Sequence, residues 1–143
     1  MAEGGFSVDI QIVNLDAIIS RFNSSQTIHK QEIGDALEKS VVLLHRSLAS
    51  YTQDSPPKPA GSTYVRTFTL ARQITHKVER GNFLARVGTN LGYGKYVIGA
   101  PGDQAAIHAG RWYTIMSKAE EHGAAILAFF KTAENNLLAY LAG

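Results

Sequence analysis

The amino-acid sequence predicts an α+β fold, in which a small, mostly antiparallel β-sheet packs against a long helix from the N-terminal half and a helix at the C-terminal end. Residues 6–13 alternate apolar and polar side chains, which is typical of a half-buried strand. Residues 33–51 and 126–141 carry apolar side chains at helical spacing. The chain has 143 residues, 45% of them hydrophobic, so a single domain spanning residues 1–143 is expected.

The N-terminal segment predicts a strand followed directly by a short helix. One face of the strand carries four apolar side chains: Phe6, Val8, Ile10 and Ile12. Asn14 can cap the helix that follows, because its side-chain oxygen can accept a hydrogen bond from a backbone N–H of the first turn. The apolar positions of this helix lie three or four residues apart: Leu15, Ile18, Ile19 and Phe22.

A long amphipathic helix is the clearest element of the sequence. Its start is indicated by residues 24–27, Ser-Ser-Gln-Thr, which include types that cap helices. Its apolar stripe recurs every three or four residues: Ile33, Leu37, Val41, Leu44, Leu48 and Tyr51. The helix should end before Asp54, since Pro56 and Pro57 cannot continue it.

The middle of the chain predicts an exposed arm and then most of the sheet. We expect an extended loop or arm near residues 54–69, leading into a helical turn or short helix within residues 67–75. Residues 76–87 predict a β-hairpin with Gly81 and Asn82 at the bend. A third strand is expected over residues 93–98, after a glycine-containing turn.

The last part of the chain predicts a long loop and a final helix. Residues 99–116 show no clear period and begin with turn-forming residues, so they are expected to form a loop of unusual length. Ser117 and Glu120 match the S-x-x-E capping box and predict the start of the helix. Its apolar positions are Ile126, Leu127, Phe130, Leu137, Leu138 and Leu141.

Charge and composition argue against several classes of function. The 14 Lys and Arg residues nearly balance the 12 Asp and Glu residues, and clusters such as residues 77–80 are mixed in sign. A DNA-binding domain usually shows a dense basic face. The chain has no cysteine, which excludes disulfides and thiolate nucleophiles. No apolar run approaches the ~18 residues of a membrane span, and the first residues do not match an export signal.

Motif spacing gives no catalytic or metal site. The five histidines lack the spacing of metal ligands: His29, His45, His76, His108 and His122. No pattern brings a nucleophile together with a base and an orienting acid. Residues 88–94 are rich in glycine but lack the Lys-Ser/Thr of a phosphate loop, which favours a turn. We therefore expect no enzymatic activity, no cofactor and no metal.

Three stretches resemble the tail-completion, or neck, proteins of tailed bacteriophages. Residues 64–70, Tyr-Val-Arg-Thr-Phe-Thr-Leu, resemble the Y-x-R-T-G-x-L segment of that family. Residues 87–97, Val-Gly-Thr-Asn-Leu-Gly-Tyr-Gly-Lys-Tyr-Val, resemble its V-G-x-x-x-x-Y-A-x-Y-V stretch. Residues 108–112, His-Ala-Gly-Arg-Trp, resemble the H-x-G-R-W of one branch. The stretches follow the family's order, and the resemblance extends from about Ser24 to the C-terminus.

Two positions depart from the family's pattern. Phe68 stands where glycine is usual, which predicts that the backbone at this position does not adopt the positive φ that glycine permits. Gly94 stands where alanine is usual. These differences put the local turn in question more than the resemblance itself.

The resemblance implies an α+β fold and a structural role in the virion, at the head–tail junction, for a protein made in the cytoplasm of the bacterial host. The subunits would form a homo-oligomeric ring, with a hexamer favoured. The ring would contact the tail tube protein and the head-closure or connector proteins, and genomic double-stranded DNA would pass through its channel without tight binding. A tail-terminator or head-closure ring protein is the alternative, and a small nucleic-acid-binding domain is a more distant one.

Arginine and aromatic side chains are the candidates for subunit and partner contacts, because these types are enriched at protein interfaces. Residues 62–69 could add as a strand along an exposed sheet edge of a neighbour. The candidate residues are Tyr64, Arg66, Leu70, Arg72, Tyr93, Tyr96, Arg111 and Trp112. In the alternative interpretation, Tyr93 and Tyr96 pack on the sheet and Trp112 fills the core. Arg66→Glu should leave the monomer folded and impair assembly.

Overall fold

The computed structural model describes residues 5–11, 26–50, 58, 60–63, 67–100 and 102–142. Strand β1 spans Phe6–Gln11 and helix α1 spans Gln26–Ala49. The short helix α2, Thr69–Arg72, precedes a hairpin of β2, Ile74–Glu79, and β3, Leu84–Thr89, which a 3₁₀ turn at Arg80–Asn82 connects. Three helices follow: α3, Gly94–Ile98; α4, Ile115–Glu121; and α5, Gly123–Ala142.

The described strands form one antiparallel sheet with the order β1-β3-β2. In the centre of the sheet, Val87 of β3 lies opposite Val8 of β1 on one side and His76 of β2 on the other. The hairpin is therefore confirmed, and so is the α+β class with its long helix and C-terminal helix. The first strand of the chain supplies the third strand of the sheet.

The core lies between the sheet and the long helix. Helix α1 buries a stripe of apolar side chains that are at most 3% exposed: Ile33, Leu37, Val41, Leu44 and Leu48. Helix α5 packs antiparallel against α1, since Asn136 Nδ2 donates to Glu32 Oε2 at 2.9 Å near one end and His122 Nε2 lies 2.9 Å from Ser47 Oγ near the other. Burial of these stripes drives the packing of the elements.

The outer face of the sheet is polar and carries a ladder of charges. Arg86 in the central strand donates from Nε to Asp9 Oδ1 at 2.8 Å and from Nη1 to Glu79 Oε1 at 3.2 Å. Lys77 Nζ lies 3.3 Å from the same Glu79 oxygen. Alternation along each strand thus places apolar side chains toward α1 and charged side chains toward solvent.

The strand expected over residues 93–98 is wrong, because this segment forms helix α3. Two hydrogen bonds turn the backbone here: Gly94 N–H donates to the Leu91 carbonyl and Tyr96 N–H to the Tyr93 carbonyl, each at 3.0 Å. Val97 and Ile98 fit a short buried strand as well as a helical turn. In the helical turn, Gly94 packs closely against Thr89. A side chain at position 94 would overlap the Thr89 side chain, so the absence of one permits this packing.

The final helix begins earlier than expected and consists of two parts. Thr114, and not Ser117, is the N-cap of α4: Thr114 Oγ1 accepts from Ser117 N–H and Ser117 Oγ accepts from Thr114 N–H, both at 3.0 Å. Helix α4 ends at Glu121, and α5 begins at Gly123. The loop expected over residues 99–116 therefore ends at Thr114, and its residues 102–112 form successive turns.

The backbone at Phe68 contradicts the expectation drawn from the missing glycine. Phe68 has φ 56° and ψ 20°, in the left-handed region, directly before α2. This is the conformation that glycine would favour, and a phenylalanine adopts it here. Phe83 is the second described non-glycine residue with positive φ.

Several expected features lie outside the described residues. They are Ile12 at the end of the predicted first strand, the short helix after Asn14 and most of the arm near residues 54–69, including Tyr64 and Arg66.

Candidate interaction surfaces

The eight candidate contact residues fall into three groups. Tyr64 and Arg66 lie outside the described residues. Leu70 and Trp112 belong to the core of the subunit, with exposed fractions of 3% and 9%. The other four are exposed at the surface: Arg72, Tyr93, Tyr96 and Arg111. Only this last group and the undescribed pair therefore remain as candidates for direct contact.

Trp112 anchors the loop before α4. Its ring centroid lies 6.1 Å from those of His108 and Tyr113, in edge-on arrangements that aromatic pairs favour. Tyr113 in turn donates from its hydroxyl to the Leu48 carbonyl at 2.8 Å, near the end of α1. The alternative interpretation of Trp112 as a core residue is confirmed, and the loop is held by aromatic packing.

Arg72 is exposed, but its side chain has a local partner. Its guanidinium donates to the backbone carbonyl of Thr67, and Thr67 Oγ1 lies 2.7 Å from Thr69 Oγ1. These bonds hold the end of the arm against the start of α2. Arg72 therefore fixes the backbone at Thr67, directly before α2.

Helix α3 and the adjoining loop present what we call the aromatic surface, formed by Tyr93, Tyr96 and Ile107. These side chains have exposed fractions of 46%, 49% and 50%. Ala105 N–H donates to the Tyr96 carbonyl at 2.8 Å, which attaches the loop to α3. Lys95 Nζ lies 5.1 Å from the centre of the Tyr96 ring, within range of a cation–π interaction. Tyr93 and Tyr96 are thus about half exposed and do not belong to the buried core.

The three stretches that carry the family resemblance meet in space. Leu70, from the first, lies against Gly94 of the second, since a Cβ built on Gly94 would lie 3.4 Å from Leu70 Cδ1. Gln104 links the second stretch to the third: its Nε2 donates to the Val97 carbonyl at 2.6 Å and to the Trp112 carbonyl at 3.2 Å. The described parts of all three stretches therefore form one continuous region beside the aromatic surface.

Sequence reasoning missed Gln104, which links the second and third stretches, and Ile107, which is half exposed in the same loop. Gln104 has no motif around it, and only the folded loop places two carbonyls within reach of its amide. Ile107 could have been noticed from the sequence. It is a large aliphatic residue among small and polar residues, and the loop shows no helical or strand periodicity that would direct it into the core.

A second apolar surface lies between β1, α1 and α5. A groove of about 790 Å³ is lined by Ile10 and Gln11 of β1, Ile33 of α1 and one side of α5, including Ile126 and Phe130. Leu127 stands at its rim and is 70% exposed. Leu138 and Tyr140, further along α5, are also exposed.

Charged side chains of the hairpin and of α1 are largely paired with one another. Arg80 donates from Nη1 to Asp35 Oδ1 at 3.0 Å and from Nη2 to Glu38 Oε2 at 2.5 Å, and these two partners raise the pKa of its guanidinium. The hydrogen bond from Asn82, and then that from Lys77, lowers the pKa of Glu79. Positive and negative groups alternate here, and they form no extended field of one sign.

Two histidines that are distant in sequence meet at the junction of α1 and β2. His45 Nδ1 lies 2.6 Å from His76 Nδ1, and the rings stand edge to face at 75° with centroids 4.9 Å apart. Burial, and secondarily the neighbouring imidazole, lowers the pKa of His45. Among the described residues, no group of three His, Asp or Glu side chains is placed to hold a metal ion.

The described helices include none with the length and apolar character needed to cross a bilayer. No protein-family model matches this sequence, and comparisons with curated proteins and with solved structures likewise found no significant match.

Proposed function

We propose that this protein is a structural subunit of a bacteriophage neck. In this role it forms a homo-oligomeric ring at the head-proximal end of the tail and joins the tail to the head-closure proteins around the DNA channel. The observation that carries the proposal is the meeting of the three family-like stretches. They occupy residues 64–70, 87–97 and 108–112 and are not contiguous in sequence, yet Leu70, Gly94 and the Gln104 bridge bring them into one region.

The aromatic surface supports a contact between subunits in this region. Tyrosine buries a large area at little cost in side-chain entropy, and its hydroxyl retains a hydrogen-bonding partner at a wet interface. The backbone that carries this surface is ordered, because hydrogen bonds from Ala105 and Gln104 attach the loop to α3. A contact surface that is already ordered loses less entropy on association.

Ring formation needs two different patches on each subunit, since the contact is heterologous and closes by rotation. The aromatic surface supplies one patch. The arm near residues 54–69 is the candidate for the other, because its sequence predicts an extended segment and the Arg72 bond to Thr67 holds its described end beside α2. A neighbour's sheet edge can accept such an arm, and both β1 and β2 are edge strands of the described sheet.

The charge pattern supports a channel that lets DNA slide. The chain has a formal net charge of +2, and Arg80 and Arg86 are already paired with carboxylates. Each phosphate that a protein neutralises adds affinity that must be lost again during passage. A ring of these subunits would therefore contact genomic DNA weakly and without sequence preference.

A complementation experiment tests the proposal. In a phage lacking the protein, plaque formation would be restored by the wild-type chain and reduced at least about tenfold by Tyr96→Glu, because the new charge would lie unpaired in the subunit contact. Tyr140→Glu is the matched control, since Tyr140 has a similar exposure of 57% but lies on α5, outside the family-like stretches. Full complementation by Tyr96→Glu, or an equal loss with Tyr140→Glu, would contradict this assignment of the interface.

A further inference from the structure

The fold brings together two imidazoles that no sequence spacing connects. His45 lies near the end of α1 and His76 lies in β2, 31 residues later, with Nδ1 facing Nδ1 at 2.6 Å. This distance is slightly shorter than the roughly 2.7–3.2 Å usual for an N–H donor, and it requires that one nitrogen carry a proton while the other supplies a lone pair. When that proton is absent, two lone pairs converge on one point between the helix and the sheet.

Convergent imidazole lone pairs are ligands for borderline divalent cations. Histidine nitrogens bind Zn²⁺ at about 2.0–2.1 Å. Two such bonds at angles between about 90° and 109° separate the nitrogens by roughly 2.9–3.4 Å. The two nitrogens therefore need to move apart by roughly 0.3–0.8 Å, and the rings need to turn so that both lone pairs point at the ion, to exchange the proton for a metal ion. Imidazole suits Zn²⁺, Ni²⁺ and Cu²⁺, whereas Mg²⁺ and Ca²⁺ prefer oxygen.

The surroundings permit a cation to enter. His45 is half-buried and His76 is exposed, so solvent reaches the pair. Lys77 follows His76 directly, but strand alternation places its side chain on the opposite face of the sheet. Arg46 follows His45, and its side chain is displaced by about 100° around the axis of α1. One turn away on the same face of α1 stand the apolar side chains of Val41 and Leu48.

We propose that His45 and His76 form a binding site for a borderline divalent metal ion of the zinc and nickel class. The two Nδ1 atoms supply two ligands, and water completes the coordination shell on the exposed side. A metal at this point cross-links α1 to β2 and stabilises the packing of the helix on the sheet. This inference stands independently of the proposed function, since it rests on the pair alone.

Titration with NiCl2, followed by amide NMR spectra of the protein without a histidine tag, tests the site. Paramagnetic Ni²⁺ at less than one equivalent should first broaden the signals of residues adjacent to positions 45 and 76. MgCl2 at the same concentration should leave the spectrum unchanged. His45→Gln and His76→Gln should each require at least about ten times more Ni²⁺ for the same broadening, because each removes one of two ligands. His108→Gln is the matched control and should behave like the wild type.

Each outcome decides the question. Selective broadening around both positions that either substitution abolishes would establish the site. Broadening that is equal in the wild type and in His76→Gln, or that centres on another histidine, would overturn it. If His45→Gln disturbs the fold, as judged by its circular dichroism spectrum, the comparison rests on His76→Gln, whose side chain is exposed.

Discussion

At the scale of single residues, two phenylalanines adopt a backbone conformation that side chains usually avoid. Phe68 and Phe83 have φ values of 56° and 50°. A left-handed conformation places Cβ close to a carbonyl oxygen and costs about 1–2 kcal/mol in a non-glycine residue. Both side chains pack against the core cluster, so their burial offsets the backbone cost. At Phe68 the backbone thus adopts a conformation that glycine would favour, although the residue is phenylalanine.

Substitution at Phe68 should reveal this backbone strain. Phe68→Gly and Phe68→Ala both lose the aromatic contact, but only glycine relieves the positive φ. We expect Phe68→Gly to be more stable than Phe68→Ala by about 1 kcal/mol, as measured by urea unfolding. The order should reverse at Phe130 in α5, where the Phe130→Ala variant should be more stable than Phe130→Gly by about 1 kcal/mol, because alanine favours a helix more than glycine does. Greater stability of Phe68→Ala than of Phe68→Gly would contradict the left-handed assignment.

Gly88 in the central strand provides a second prediction at this scale. A Cβ at Gly88 would overlap the carbonyl oxygen of Phe6 and would lie 2.5 Å from Ser7 Cα, both in the backbone of β1. Gly88→Ala should therefore push β1 away from β3 and lower the free energy of unfolding by about 2 kcal/mol or more. Gly81→Ala is the control, because nothing lies within 4 Å of its built Cβ and a neutral result is expected. Equal stability of the two variants would show that β1 does not pair as described.

At the scale of elements, Arg80 fastens the hairpin to the long helix. Its guanidinium bridges Asp35 and Glu38, one turn apart on α1. It crosses the helix at Gly34, where a Cβ would overlap the Arg80 side chain. All three charged groups are substantially exposed, so the ion pairs are worth only about 0.2–1 kcal/mol each. Their main effect is to fix where the hairpin lies along the helix.

A double-mutant cycle tests this coupling between Gly34 and Arg80. In the wild type, Gly34→Ala gains helix propensity but displaces the Arg80 side chain. In an Arg80→Ala background the same substitution should stabilise the protein by about 1 kcal/mol, the full difference between alanine and glycine in a helix. The interaction energy from the cycle should be at least about 0.5 kcal/mol, measured by chemical unfolding. Additive effects would mean that Arg80 does not cross the helix at Gly34.

The sequence predicted best those elements whose hydrophobic periodicity matches one buried face in the fold. Alternation in residues 6–11 and the apolar stripe of α1 each match a single buried face, so β1 and α1 followed from periodicity. Helix α3 was missed because five residues cannot distinguish a helical period from alternation. The close packing of Gly94 on Thr89 decides the matter, and that contact exists only in the folded chain.

The candidate surfaces were predictable only in part, for a similar reason. Residue type selected Tyr93 and Tyr96, and both are about half exposed. The same rule selected Leu70 and Trp112, which the fold places in the core. Large apolar and aromatic residues serve interiors and interfaces alike, so composition cannot separate the two roles. The pairing of His45 with His76 was not predicted, because only the tertiary packing of α1 on β2 brings the two residues together.

At the scale of the whole molecule, the described residues carry several features that bear on the proposed assembly. The aromatic surface is exposed, the outer sheet face is charged but balanced, and the described sheet has free edges at β1 and β2. Monomeric proteins usually protect such edges and cover large aromatic side chains. A ring of subunits would cover both features by repeating one contact.

The most direct measurement of the proposed function is electron microscopy of a phage from which the protein has been removed. We predict DNA-filled heads and complete tails that remain separate, with joined particles restored when the wild-type chain is supplied in trans. In the proposed role the subunits would act only at the junction, so neither head filling nor tail assembly should require them. Joined, infectious particles at a normal titre in the absence of the protein would contradict the account.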